Sequence, residues 1–283
     1  MEKTVLFAKL RVAGISLAVW ALLSATLLVC ARLFWYQDFL FMNDGGLSGL
    51  SLVIPIDLVL GPGLMFVAYN PTKPARTKVV DIAVVLLVQL GAFGYGLYQV
   101  YQQHPVLLSY SDGAFDPVRG EMLDRQKTSV SVFSQLSSHE PPFLFVKPIP
   151  KGYMPRMLNL TLNLGVAMNA QVDLLDGLAG HKKELFVNDK VLRDFMQQQL
   201  PDQYQQLQQN YPAGNNNLVW FDGRYSGAIL VFDNNANYLG YFSMSATQQN
   251  PATLVKPAPK AASMAASGPT ATAVSAPAAS APQ

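Results

Sequence analysis

Three long stretches with almost no charge lie in the first 101 residues and constrain this chain more than any other feature. Residues 12–31 and 82–101 carry no charged side chain, and residues 46–68 carry one, Asp57. About 20 apolar residues span the ~30 Å hydrocarbon layer of a bilayer. Charged residues make up only 13% of the chain, whereas about 25% is usual in a soluble domain. The sequence therefore predicts a membrane protein with three N-terminal transmembrane helices in a domain of residues 1–105.

The basic residues beside these spans predict their orientation. Six of them flank the spans on one side of the membrane and one flanks them on the other: Lys3, Lys9, Arg11, Lys73, Arg76 and Lys78 against Arg32. Short cytoplasmic segments carry such an excess, so we expect a cytoplasmic N-terminus and residues 102–283 outside the cytoplasm. The first span could instead be a cleaved signal peptide, but its apolar run exceeds the usual ~7–15 residues, which favours an uncleaved anchor. Four aromatic residues are expected to form a belt at the outer interface: Trp35, Tyr36, Tyr98 and Tyr101.

The residues that follow the third span predict an α+β domain at 106–249 and a disordered tail at 250–283. Strands are predicted where apolar residues are continuous or alternate with polar ones. Apolar residues at helical spacing predict a helix that begins after Asn188 and restarts at Pro201. The tail is rich in Ala, Pro, Ser and Thr and cannot bury enough apolar surface to fold. The predicted strands are 143–146, 158–164, 218–222, 227–233 and 238–244, the last two joined by a turn at 234–237.

No arrangement of side chains in the sequence predicts catalysis. The only cysteine, Cys30, lies in the first span, and the three histidines are far apart without metal-ligand spacing. The chain also lacks nucleophile and phosphate-binding motifs. We therefore expect a protein that is not an enzyme and has no metal, cofactor or small-molecule substrate. The net charge of +2 without a basic cluster predicts no nucleic-acid partner.

The informative polar residues lie inside the apolar stretches. A carboxylate at the centre of a membrane helix costs about 2.5–3.5 kcal/mol and usually marks function. Asp57 is such a residue, and Pro62 follows it between Gly61 and Gly63. Gln89 offers an amide at a similar depth in the third span. Two alternatives are open: Asp57 bonds Gln89 and simply holds the helices together, or the two residues and the bend at Pro62 form a polar seam shaped for a partner helix.

The same region resembles a known family, the type IV pilin accessory proteins of the TfpX/TfpZ group. The resemblance is carried by LVIPIDLVLGPGLMFVAYNPTKP at 52–74, then by Asp81, Gln89, the Tyr95-Gly96 pair and Pro105. It implies a multi-pass protein of the bacterial inner membrane with a periplasmic C-terminal domain. The implied function is non-catalytic: a chaperone-like accessory role in type IV pilin stability or pilus assembly. The implied seam and loop residues are Asp57, Gly61, Pro62, Gln89, Tyr95 and Gly96, with Lys73 and Asp81 in the cytoplasmic loop.

The partners implied by this resemblance are the lipid bilayer and the type IV major pilin, contacted through its membrane helix and its head domain. Before assembly, pilin subunits are anchored in the membrane by one apolar helix that carries a buried glutamate. The alternative from another functional class is a membrane-tethered periplasmic binding or signalling module with a non-pilin partner. The cytoplasmic segments are too short to signal by themselves, which weighs against this alternative.

The expected orientation is testable by thiol labelling of intact cells. In a Cys30→Ser background, a cysteine introduced as Ala75→Cys should be shielded from a membrane-impermeant thiol reagent, and Asn215→Cys should be labelled. Both should react after the cells are lysed, which controls for thiol reactivity. The reverse labelling pattern in intact cells would contradict the predicted topology.

Overall fold

Three long helices form the N-terminal part of this computed structural model, which describes residues 2–211 and 214–244. The predicted tail lies outside the described residues. Each long helix is long and apolar enough to cross a membrane. The second of the three long helices continues through both Pro55 and Pro62 without ending. The helices are α1 (Glu2–Cys30), which continues as a π-helical turn (Ala31–Trp35), the short α2 (Leu40–Asn43), α3 (Gly46–Ala68) and α4 (Ala75–Gln103).

The rest of the described chain is an α/β domain on one mixed sheet, here called the sheet domain. Its seven strands lie in the order β4-β3-β1-β2-β5-β6-β7. The β1–β3 and β2–β5 pairs are parallel and the other pairs antiparallel. The strands are β1 (Pro105–Ser111), β2 (Ala114–Arg119), β3 (Phe143–Val146), β4 (Leu175–Gly177), β5 (Asn217–Asp222), β6 (Gly227–Phe232) and β7 (Tyr238–Ser243). The helices are α5 (Gly120–Asp124), α6 (Met154–Leu158), α7 (Lys182–Leu185), α8 (Asp189–Gln199) and α9 (Pro201–Asn210).

The predicted strand at 158–164 is wrong. Helix α6 ends at Leu158 and a π-helical turn continues through Asn159–Asn163. The alternating leucines suggested a half-buried strand, but Leu160 is buried while Leu162 is 76% exposed. The spacing therefore did not reflect the packing. The predicted hairpin is confirmed as β6 and β7, and the helix restart at Pro201 is confirmed as α9.

The two faces of the sheet pack against different parts of the chain. One face rests on α8 and α9, where Leu192, Met196 and Leu207 cover Trp220 and other strand residues. The apolar stripe of α8 therefore packs on the protein's own sheet. The opposite face, here called the aromatic face, carries six buried rings: Tyr110, Phe115, Phe143, Phe145, Phe221 and Phe232.

The segment between the first two long helices covers the part of the aromatic face around Phe221. This segment, residues 36–45, is here called the docking loop. Phe39 is 1% exposed, and its ring centroid lies 4.8 Å from that of Phe221. Leu27 of α1 and Leu50 of α3 belong to the same buried cluster. A single core therefore runs from the long helices into the sheet domain. Tyr36, expected in the aromatic belt, is buried in this core instead.

Hydrogen bonds hold the docking loop against the turn between β5 and β6. The carbonyl of Asn43 accepts hydrogen bonds from the backbone N–H groups of Tyr225 at 3.0 Å and Ser226 at 3.3 Å. The side-chain oxygen of Asn43 accepts from the Ser226 hydroxyl at 2.6 Å. A Cβ on Gly223 would lie 2.5 Å from the Asn43 carbonyl oxygen, so glycine is what permits this approach. Asn43 is 1% exposed, and these bonds satisfy polar groups that burial would otherwise penalise.

Asp44 is a buried carboxyl group in the same contact. It is 1% exposed, and its Oδ1 accepts a hydrogen bond from the Arg224 backbone N–H at 3.3 Å. Its Oδ2 is buried and has no hydrogen-bond partner among the described residues. Burial raises the pKa of Asp44 to about 6, and the positive charges of Arg224 and Arg119 only partly oppose this. The ionised form of Asp44 therefore destabilises the contact between the docking loop and the sheet domain.

The raised pKa of Asp44 predicts that acidification stabilises the protein. Because folding raises this pKa, the folded state binds more protons than the unfolded state between about pH 4 and 6. Stability should therefore rise as the pH falls from 7.5 to 5, where the carboxyl becomes neutral. The thermal midpoint of the detergent-solubilised protein should increase by several degrees, at about 2–4 °C per kcal/mol for a domain of this size.

Two variants separate this effect from other carboxyl groups. Asp44→Asn should flatten the dependence of the midpoint on pH. The pKa of Asp116 is also raised to about 6 by burial, and the side chains that influence it lie outside the docking loop. Asp116→Asn should therefore leave the Asp44 contribution in place. A pH profile of Asp44→Asn identical to that of the unmodified protein would refute the assignment.

Candidate functional site

One glutamine side chain joins all three long helices. The indole Nε1–H of Trp20 on α1 donates to Oε1 of Gln89 on α4 at 3.0 Å. The Nε2–H of Gln89 donates in turn to the backbone carbonyl of Gly61 on α3 at 2.9 Å. Gln89 is 6% exposed. We call this chain of contacts, Trp20–Gln89–Gly61, the amide bridge.

Glycine at position 61 allows the amide bridge to form. A Cβ added to Gly61 would lie 2.7 Å from Cδ1 of Trp20, which is too close for any other residue without movement of the indole. The same indole packs edge-on against Phe93 of α4, with ring centroids 5.5 Å apart. A buried indole N–H usually bonds an acceptor. Hydrogen bonds between membrane helices contribute about 0.6 kcal/mol on average and up to ~1.7 kcal/mol, so the bridge stabilises the helix bundle modestly and directs its packing.

Asp57 lies on the packed face of α3, one turn from Gly61. That face is formed at helical spacing by Leu50, Ile54, Asp57, Gly61 and Met65. The hydrogen bond between Asp57 and Gln89, one of the two alternatives from the sequence, is not formed. The Gln89 amide bonds Trp20 and the Gly61 carbonyl instead. Oδ2 of Asp57 is buried and has no hydrogen-bond partner in the described part of the chain.

A serine hydroxyl at the same level is also unsatisfied. Helices α1 and α3 run antiparallel, with Trp20 against Gly61. Ser24, one turn beyond Trp20, therefore lies at the depth of Asp57. Ser24 is 3% exposed, and its hydroxyl has no hydrogen-bond partner among residues 2–211 and 214–244. Leaving a buried polar group unpaired costs about 1–3 kcal/mol, so the helix bundle holds polar groups that its own described residues do not satisfy.

The other residues singled out from the sequence lie apart from this pair. Pro62 adjoins Gly61 on α3, whereas Tyr95 is 65% exposed and accepts a hydrogen bond from Gln99. Gly96 follows Tyr95 on α4. Lys73 and Asp81 form an ion pair of 2.6 Å near the start of α4. The described residues contain no group of three or more His, Cys, Asp or Glu side chains that could hold a metal.

Helix α4 has one packed face and one open face. The packed face carries Gln89, Phe93, Leu97 and Val100, and the last three pack on the shared core. The open face carries Leu87, Gly91, Gly94 and Tyr98. A Cβ added at Gly91 or Gly94 would meet no heavy atom within 4 Å. A second helix could therefore approach α4 closely along this face.

Comparisons with known proteins find relatives in one bacterium, Dichelobacter nodosus. The chain is 32% identical over 96 residues to its fimbrial assembly protein of serogroups C1 and C2, covering 34% of this chain and 70% of that protein. It is 32% identical over 96 residues to the serogroup I protein and over 76 residues to the serogroup E1 protein. The matches span only 36% and 30% of these two relatives' own lengths.

Two further comparisons give no match. No protein-family model matches this chain. No solved structure matches it either.

Proposed function

Because the chain belongs to the family of fimbrial assembly proteins, we propose that it acts in the assembly of type IV fimbriae. In this proposal it is a non-catalytic, chaperone-like protein of the bacterial inner membrane. It holds the major pilin in the bilayer before the pilin is incorporated into the fimbria. The three long helices contact the membrane helix of the pilin, and the sheet domain faces the pilin head in the periplasm.

The observation that carries this proposal is the unsatisfied carboxyl group of Asp57. A carboxylate at the centre of a membrane helix is costly, and such groups usually pair with another polar group. Within the described residues Oδ2 of Asp57 has no such partner. The pilin helix, which the family resemblance implies to carry a buried glutamate, would supply a polar group at this depth. Two carboxyl groups can meet there if at least one of them is protonated.

The contacts of the amide bridge support different roles for Gln89 and Asp57. Gln89 has both ends of its amide bonded to residues of its own chain. Asp57 does not, although it lies one turn from the bridge on α3. Gln89 is therefore assigned to holding the bundle together and Asp57 to contacting the partner.

The open face of α4 is a second surface on which a helix could pack, on the side of α4 opposite Gln89 and so away from Asp57. Lipid tails are as apolar as leucine side chains, so helices associate in membranes through close packing and polar contacts. The glycines at 91 and 94 leave space for a neighbouring backbone. The same chain also places a folded domain directly at the ends of its helices through the docking loop, so helix and head of one pilin could be contacted together.

The alternative is a membrane-tethered periplasmic binding or signalling module with a non-pilin partner. It would use the sheet domain alone and would not require Asp57. The two functions are therefore distinguished by whether pilin binding depends on Asp57.

Substitution of Asp57 tests the proposal. Asp57→Asn keeps the shape of the side chain and removes its charge, so the protein should remain abundant. Pilin that co-purifies with it after cross-linking, and the number of surface fimbriae, should fall several-fold. Gln89→Leu is the matched control, since it removes the amide bridge and should lower the amount of the protein itself.

Normal fimbriae and normal pilin recovery with Asp57→Asn would refute a role for Asp57 in binding the partner. If fimbriae fail only in variants that also reduce the amount of protein, such as Asp57→Leu, Asp57 belongs to the scaffold. If pilin does not co-purify with the unmodified protein either, the alternative module is favoured.

A further inference from the structure

A groove of about 400 Å³ lies where the long helices meet the sheet domain. One side is formed by Phe34, Trp35 and Gln37 after α1 and by His104 and Pro105 after α4. The other side is the segment between α5 and β3, which includes Ser131, Ser134, Ser137, Ser138, His139 and Glu140. The volume lies within the ~300–1,000 Å³ range of small-molecule sites.

The groove lies at the depth expected for lipid headgroups if the long helices cross a bilayer. Trp35 packs against Tyr101 near the end of α4, with ring centroids 5.6 Å apart. Aromatic rings at such helix ends mark the interface between hydrocarbon and water. Phe34 lines the groove and is 70% exposed. The mouth of the groove is therefore apolar on the side of α1 that acyl chains would contact.

The polar lining of the groove includes hydrogen-bond acceptors for a cation. Nδ1 of His139 lies 3.1 Å from the Pro141 carbonyl oxygen, and Nδ1 of His104 contacts the Tyr101 carbonyl. In a neutral imidazole, Nδ1–H that donates to a carbonyl leaves Nε2 as an acceptor. Glu140 adds a carboxylate, and no lysine or arginine is among the lining residues.

The serine side chains supply the complementary donors. The Ser137 hydroxyl oxygen accepts hydrogen bonds from the backbone N–H groups of His139 and Phe143. Its own hydrogen remains available to a ligand. The exposed hydroxyl of Ser138 has no hydrogen-bond partner within the described ranges. The groove thus pairs acceptors for an ammonium group with hydroxyl donors for phosphate oxygens.

We propose that this groove binds the headgroup of a phosphatidylethanolamine lipid. The ammonium group lies against Glu140 and the two imidazoles, and the phosphate accepts hydrogen bonds from Ser137 and Ser138. The acyl chains extend along α1 past Phe34. An anionic headgroup is disfavoured because the described lining includes Glu140 and no lysine or arginine. A trimethylated headgroup is disfavoured because it has no N–H to donate. The proposal does not depend on a pilin partner.

Native mass spectrometry of the full-length protein in mild detergent tests this assignment. The protein is equilibrated with equal amounts of phosphatidylethanolamine, phosphatidylglycerol and phosphatidylcholine that carry identical acyl chains. We expect at least threefold more bound phosphatidylethanolamine than either competitor. Glu140→Gln should bring the three lipids to near-equal binding. Glu184→Gln, which changes an exposed glutamate outside the groove, should retain the preference.

A second variant checks that the bound lipid occupies the groove. Ser138→Trp fills the groove from an exposed position and should abolish the preference without lowering the thermal midpoint. Equal binding of the three lipids by the unmodified protein, or a preference that survives Glu140→Gln, would overturn the proposal. It would also be overturned if Ser138→Trp left lipid binding unchanged but removed a co-purifying protein, because the groove would then be a protein-docking surface.

Discussion

The contact between the docking loop and the aromatic face is the constraint on which the rest of this structure depends. The ring of Phe39 packs against that of Phe221, and the side chain of Asn43 accepts a hydrogen bond from Ser226 in the β5–β6 turn. This contact joins the core of the sheet domain to that of the long helices, where Leu50 is fully buried. A domain linked only through the end of α4 would be free to swing. Here it is held at two separate places in the chain, which fixes the groove and orients any partner-binding surface relative to the helices.

Inside the helix bundle, a smaller set of polar contacts holds the three long helices together. The amide bridge satisfies Trp20, Gln89 and one carbonyl of α3, and it sets the depth at which α1, α3 and α4 meet. Asp57 and Ser24 are left unsatisfied one turn away. The proposed role in fimbrial assembly rests on this contrast between an amide bonded at both ends and a buried carboxyl oxygen without a hydrogen-bond partner. Membrane hydrogen bonds are individually weak. The difference between Gln89 and Asp57 therefore bears more on where a partner binds than on the stability of the helix bundle.

The sequence predicted the parts of the fold that have local causes. Long uncharged runs indicated the helices, and the turn at 234–237 indicated the hairpin. Gln89 and Asp57 were evident as polar residues in apolar runs. Trp20 was missed as their neighbour, although an indole N–H in such a run usually bonds an acceptor. The docking loop was missed because residues 36–45 have no periodic pattern, and their partners Phe221 and Ser226 lie about 180 positions further along the chain. The strand prediction at 158–164 was wrong because the alternation of leucines with polar residues does not show what the segment packs against.

Hydrogen exchange of the β5–β6 turn tests most directly whether the docking loop holds the sheet domain on the helices. The backbone N–H groups of Tyr225 and Ser226 donate to the Asn43 carbonyl of the docking loop. In the full-length protein these amides should exchange slowly. In Phe39→Ala they should exchange at least tenfold faster, while amides of central β6, such as that of Leu230, stay protected. Fast exchange at 225 and 226 in the unmodified protein, or no change in Phe39→Ala, would contradict the account.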